Sequence, residues 1–463
     1  LADLGSYHQC LSIQYLADEL EIAGKYCLIH VPLNQNTIEN SRTLDLDKKW
    51  PRLENYTSKH IERNLNLKQL AHLISGTENS MTSSIADYLT MILINYIKSF
   101  SIHTNTKRLL SFNYGPGALE CVDGIRAISM LWVIFGHTYC LTPLSFVSNA
   151  AHILNWLTSF RSIWVNSAPI SVDTFFMLSG ILCVYTVIGK IRKFIKSLHL
   201  FYLYRLLRIF PLLAAVILLQ ASLLHRVSDG PVWTDVGYST ESCRRRWWSA
   251  LLHVQNYCLQ HTWYLSVDVQ LYIISPVVIV WLFGSAMVAW CSLVAGVIIT
   301  LAISNEMRDY FVYYYMNTLP RASPFFIGML YGYLLHKFKG KNLRILVATF
   351  WTLSIALMAF CIFSIYPIMQ VDHDKQMFDN FLNAYMRGIW AMTLGWLIFA
   401  CVHGYGGPIN WFLSLQIWKL PARLSYAMYL IHFPLIMVAN GSVTTTLYFN
   451  DANIVSKRYS CIF

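Results

Sequence analysis

The residues best placed to do chemistry are an arginine and a histidine within one apolar run, Gly124-Ile-Arg-Ala-Ile-Ser-Met-Leu-Trp-Val-Ile-Phe-Gly-His137. Arg126 and His137 lie about three helical turns apart, so their side chains leave the same face. About 16 Å of helix axis separates them. That is too far to grip one small group but suits two ends of a channel, and Ser129 and Gly136 keep the surface between them small. An ionisable group inside a membrane span costs about 2.5–3.5 kcal/mol on insertion, so its presence marks a functional interior. A neutral imidazole can take the proton of a hydroxyl as that hydroxyl attacks a thioester. A guanidinium can hold phosphate or an oxyanion in its planar fork. The bland alternatives are an Arg126 that snorkels to the headgroups and a His137 that only makes a structural hydrogen bond.

Other apolar runs supply partners. In His261-Thr-Trp-Tyr-Leu-Ser-Val-Asp268-Val-Gln270, Asp268 follows Trp263 by five positions, and His137 precedes Thr142 by five. With Trp263 and Thr142 at the membrane interface, both groups are about 7–8 Å deep. Asp268 is therefore the expected carboxylate partner that sets the tautomer of His137. Asp173, in Ser171-Val-Asp-Thr-Phe-Phe-Met-Leu-Ser-Gly180, is the rival, and either aspartate can instead form a salt bridge that only joins helices. Arg321, within Pro320-Arg-Ala-Ser-Pro324, suits a broken helix beside a cavity. Arg387, with Trp390 after it, reads equally as an interface anchor or a ligand, and His432 in Tyr429-Leu-Ile-His-Phe-Pro434 as a structural or cavity-lining residue. Arg244-Arg245-Arg246 before Trp247-Trp248 reads as an interfacial anchor. A Gly-rich phosphate loop and CxxC or HExxH motifs are absent, so no metal is expected.

The elements that must position these residues are membrane helices. Of 463 residues, 56% are hydrophobic and 13% charged, against about 25% charged in a soluble domain. The expected fold is an all-α polytopic membrane protein of about nine to ten spans, with a small extracytoplasmic domain at its N-terminus. Spans are expected near 84–102, 124–142, 163–188, 209–225, 263–283, 286–303, 324–336, 343–366, 383–403 and 422–440. The net charge of +11 sits between these runs, which argues for a membrane face rather than nucleic acid. Lys190, Arg192, Lys193, Lys196, Arg205 and Arg208 fill one loop, and Lys337, Lys339, Lys341 and Arg344 another; the positive-inside rule makes both cytosolic. The loops at 226–262 and 367–382 and the N-terminal segment then face the lumen or exterior. Cys10, Cys27, Cys243 and Cys258 share that oxidising side, paired as Cys10–Cys27 and Cys243–Cys258 among three connectivities. So do the glycosylation sequons at Asn55 and Asn440. The start at Leu1 reads as incomplete or processed.

These residues resemble the acyltransferase-3 family of membrane proteins, in particular its nose resistant to fluoxetine branch. The likeness runs from about residue 105 to 440, through motifs in a fixed order. They are Asn105-Thr-Lys-Arg-Leu-Leu110, the Arg126/His137 spacing, Asp173 to Gly180, Arg205-Leu-Leu-Arg-Ile-Phe-Pro211, Trp263-Tyr-Leu-Ser-Val-Asp268 and Leu424-Ser-Tyr-Ala-Met-Tyr-Leu-Ile-His432. Tyr7-His-Gln-Cys10 and Gly24-Lys-Tyr-Cys-Leu28 resemble the extracytoplasmic N-terminal domain of that branch. The resemblance implies four regions: a partial N-terminal domain at 1–82, a weak span and connector at 83–119, the acyltransferase-3 membrane domain at 120–440, and an atypical tail at 441–463. It implies an O-acyltransferase, without a bound cofactor, that moves an acyl group from acyl-CoA to a hydroxyl acceptor (a lipid, carbohydrate or secreted molecule). Its catalytic residues map to His137, Arg126 and Asp268, an Asp where bacterial relatives carry Glu, with Asp173 as the alternative carboxylate. Arg205, Arg208, Trp263, Arg321 and His432 are the expected substrate contacts; the first two would gather the CoA phosphates or serve as plain positive-inside charge. The host membrane is the endoplasmic reticulum or the plasma membrane. The tail lacks the family's final helix, so the chain reads as a fragment or a faulty gene model. The competing readings are a lipid or small-molecule transporter and an inactive receptor-like protein.

Overall fold

A run of apolar residues in lipid has no water to satisfy its backbone, so the N–H and C=O groups close on one another and the run coils into a helix. In the computed structural model the chain divides into two compact units, Leu1–Ser111 and Phe112–Phe463. The structure describes residues 90, 91, 98, 101–112, 117–145, 147–230, 233–254, 260–284, 294–299, 318, 319, 321–338, 344–443 and 447–450. Residues 1–82, most of the expected spans at 84–102 and 286–303, and the tail from 451 lie outside the described residues. So do Cys10, Cys27, Asn55 and Cys258.

In the first unit, α1 (Ile102–Leu109) begins at Ser101, whose hydroxyl accepts the Thr104 N–H at 3.4 Å. The second unit contains α2 (Glu120–Leu141), α3 (Ile170–Val187), α4 (Leu198–Ser222), α5 (Trp233–Leu251) and α6 (Trp263–Gly284). It continues with α7 (Ala322–Lys337), α8 (Arg344–Phe363), α9 (Gln376–Val402) and α10 (Lys419–Gly441). Among the described residues, 7 helical stretches are long and apolar enough to cross a membrane: those of α2, α3, α4, α6, α8, α9 and α10. No named strand occurs among them; Val147 and Leu447 form an isolated bridge. The expected all-α polytopic class is borne out.

Helix α3 is the central post, packed on α2, α6, α7 and α9. Its closest neighbour is α7, and glycines set the approach. A Cβ at Gly180 would stand 2.2 Å from the Phe325 carbonyl oxygen, and one at Gly328 2.2 Å from that of Met177. Backbone therefore meets backbone, and Phe176, Phe325 and Met329 close the seam beside it. At 16 residues, α7 is about 24 Å long, short of the roughly 30 Å hydrocarbon core. Arg321, at its N-terminus, is thereby drawn into the protein and fully buried. By contrast α4 and α8 turn Leu203, Leu206, Leu207, Leu218, Phe350, Leu353 and Ile355 outward. That is the expected surface for lipid.

Prolines mark the polar interior. Pro276 inside α6 has no N–H for the Tyr272 carbonyl. The Ser275 hydroxyl donates to that carbonyl at 2.7 Å instead, and accepts from the Cys183 thiol at 3.1 Å. Pro434 likewise frees the Leu430 carbonyl in α10, and His261 stands against it.

Two expectations about loops are corrected. The basic loop is shorter than expected, because Leu198 to Leu207 is leucine-rich and free of Gly or Pro, so it continues as helix. Arg205 and Arg208 consequently lie inside α4. The expected 226–262 loop holds a 19-residue helix, α5, packed along α4 and α10. Gln220 donates to Ser239 at 3.0 Å and Arg244 to the Ala221 carbonyl at 2.7 Å, while Cys243 is buried and disulfide-bonded. Arg245 pairs with Glu241 at 2.9 Å, and Trp247 and Trp248 are exposed. Asn440 is buried, its side-chain nitrogen donating to the Leu141 carbonyl at 2.9 Å. In the folded chain, the atom a glycan would occupy is turned inward.

Candidate functional site

Helices α2 and α10 lie side by side, and each offers one histidine to the other. The His432 Nε2 is 3.1 Å from the His137 Nδ1, and the rings are 5.1 Å apart between centroids. The His432 Nδ1 lies 3.0 Å from the Met428 carbonyl, one turn back on its own helix. His137 is likewise hydrogen-bonded to the Val133 carbonyl. His432 is buried and His137 half-buried. Phe433 meets His137 edge-on at 5.6 Å and stacks on His261 at 4.8 Å; His261 in turn stands 5.2 Å from His432. The Tyr429 hydroxyl donates to the His261 carbonyl. Three histidines and an aromatic wall thus form one end of the site.

The arginine end is built by α2, α4 and α6. Arg205 pairs with Asp268, donates to Ser179 at 3.2 Å, and lies 4.0 Å above the Tyr272 ring. Arg126 and Arg208 form no salt bridge among the described residues; Arg208 lies within reach of the charges of Arg126, Arg205 and Asp268. Asp123 and Tyr264 are the further electrostatic neighbours of Arg126. Between the two ends, Tyr264 and Tyr429 meet edge-on at 5.6 Å, and Tyr429 is 6.1 Å from His432. The polar groups therefore run from the arginines, past two tyrosines, to the histidines. Gln270, two residues after Asp268 on α6, donates to the His253 carbonyl at 3.0 Å and accepts from Thr318.

A third group braces the bundle. Asp173, in the first turn of α3, takes Arg321 at 2.8 Å and Arg387 at 3.9 Å, all three buried. Arg321 lies 5.0 Å over Trp263, and Trp390 donates to Thr174 at 2.9 Å. Arg387 is accordingly a buried ion-pair partner, not an interface anchor.

The expected residues are brought together in a different pairing. Neither Asp268 nor Asp173 serves as the partner of His137; arginines hold both carboxylates, and His432 takes that place. Trp263 is 6% exposed inside the core and so does not mark the interface from which the depth of Asp268 is counted. Arg126 and His137 do share one helix, one at each end. His261, Tyr264 and Tyr429 were not selected from the sequence. Their signal was their place inside the two quoted stretches, His261 to Gln270 and Leu424 to His432.

Chemically, a neutral imidazole can accept a proton, and arginines that form no salt bridge can take an anion. Among known proteins, the model of an acyltransferase domain, acyltransferase 3, matches residues 119–452. Nose resistant to fluoxetine protein 6 of Caenorhabditis elegans is 25% identical over 77% of this chain and 50% of its own length. Regulator of hypoxia-inducible factor 1, also from Caenorhabditis elegans, is 22% identical over 79% of the chain and 81% of its own length. A Staphylococcus aureus protein named "Putative O-acetyltransferase" is 23% identical over 74% and 54% respectively. The chain thus spans half the length of nose resistant to fluoxetine protein 6. No solved structure matches the chain.

Proposed function

Since this chain belongs to the acyltransferase-3 family, we propose that it is a membrane-embedded O-acyltransferase taking its acyl group from acyl-CoA and passing it to a hydroxyl acceptor. The observation that supports this most is on α2, where Arg126 forms no salt bridge among the described residues and His137 turns its Nδ1, not its Nε2, to His432. Two like charges, Arg126 and Arg208, are kept close in a low-dielectric interior, which favours a bound anion. The phosphates of acyl-CoA supply that anion, and the linear arm of the donor covers the ~16 Å from Arg126 toward His137. The His137 Nε2 then removes the acceptor's hydroxyl proton as its oxygen attacks the thioester carbonyl. The C–S bond breaks and the leaving thiolate recovers a proton.

The same reading makes the α3–α4 connection cytosolic, on the strength of Lys190, Arg192, Lys193 and Lys196. Arg126 then faces the donor side and His137 the acceptor side. Cys243 pairs with Cys258 on the acceptor side, where disulfides persist. In isolated membranes, His137→Ala is expected to abolish transfer from labelled acetyl-CoA. Undiminished transfer would overturn the assignment, and substrate movement without acylation would favour a transporter.

A further inference from the structure

We propose that His432 is the positioning residue that holds the proton of His137 on Nδ1 and so makes Nε2 the catalytic base. This rests on the reading of His137 as the base. A carbonyl oxygen only accepts, so the His432 Nδ1, 3.0 Å from the Met428 carbonyl, must carry a hydrogen. A neutral imidazole has one N–H, which leaves the His432 Nε2 as an acceptor. The His137 Nδ1 faces that acceptor at 3.1 Å and must therefore donate to it. The hydrogen on Nδ1 leaves a lone pair on Nε2, where no described group competes for it.

A carboxylate would fix the same tautomer in the familiar triad. Here both nearby carboxylates are committed to arginines, Asp268 to Arg205 and Asp173 to Arg321 and Arg387. A second imidazole instead orients the base without leaving a net charge in the resting, apolar site. When Nε2 takes the acceptor's proton, the new imidazolium still donates from Nδ1 to His432. The titratable groups facing the pair are His261 from the segment before α6 and Tyr429 on α10. Neither comes between the two rings.

The test compares His432→Leu with His432→Gln in the full-length chain, in membranes, with labelled acetyl-CoA. The Leu variant removes the acceptor and is expected to lower kcat by about 10- to 100-fold, with the KM for acetyl-CoA unchanged. The Gln variant offers an amide oxygen where Nε2 stood and should recover much of that loss. A residue that only filled space would not discriminate between these two. Thermal unfolding in detergent establishes that each variant is folded. Wild-type kcat in a folded Leu variant, or a folded Gln variant no better than Leu, overturns the proposal. If His137→Ala itself retains activity, the base assignment has failed instead, and the two failures are thereby distinguished.

Discussion

A carboxylate between two buried arginines is a different object from one that faces a single, partly exposed arginine. Asp173 holds Arg321 and Arg387 where both guanidinium side chains are at most 5% exposed. Arg205, on Asp268, is 22% exposed and also has Ser179 and the Tyr272 face. Breaking a buried pair from one side costs on the order of 3–5 kcal/mol, because a charge remains with its compensation gone. Asp173→Asn should therefore lower the melting temperature in detergent more than Asp268→Asn does. The opposite order would mean that Asp173 is dispensable to the bundle. Every one of these charged residues was legible in the sequence as an ionisable group inside an apolar run. Their pairing was not, because periodicity gives a residue's face on its own helix but not its depth relative to another. Trp263 illustrates the difficulty: tryptophan commonly marks an interface, yet this one is packed under Arg321.

At the scale of elements, the site depends on how closely α3 and α7 approach. Asp173 comes from one and Arg321 from the start of the other, so their 2.8 Å contact persists only while the seam holds. Gly328→Leu places a Cβ 2.2 Å from the Met177 carbonyl oxygen, a backbone atom that cannot turn aside. It is expected to yield little folded protein by size-exclusion chromatography. Gly237→Ala on α5 is the matched control, since a Cβ there meets nothing within 4 Å and alanine favours helix by about 1 kcal/mol. Equal yields from the two would show that the crossing is looser than the glycines imply. Seven of the ten expected spans, those of α2, α3, α4, α6, α8, α9 and α10, were readable from length and apolarity. The α3–α7 seam was not, because helices apolar on all sides offer no stripe to say which face meets which neighbour. Helix α5 was missed for the reverse reason: its polar composition imitates a loop, and its partners α4 and α10 are distant in sequence or already counted as spans.

Over the whole molecule, charge is distributed unevenly along the path that the site defines. Arg126 and Arg208 stand at one end, Asp268 pairs with Arg205 beside them, and the far end holds histidines hydrogen-bonded to one another. Such a gradient suits a polyanionic donor entering at the arginines and an acceptor meeting the histidines, provided the arginine end faces the compartment that holds the donor. The orientation is therefore a functional prediction as well as a topological one. The turn at Gly189 and Lys190 is exposed at the arginine end of the bundle, and Asp372 and Asp374 lie exposed in the connection between α8 and α9. A short epitope inserted at the first place should bind antibody only after the membrane is permeabilised. One inserted at the second should bind in intact cells, or be protected from protease in sealed microsomes if the protein resides in the endoplasmic reticulum. The reverse pattern would put the arginines outside, where acyl-CoA is not supplied, and the acyl-CoA reading would fall even with His137 and His432 correctly paired.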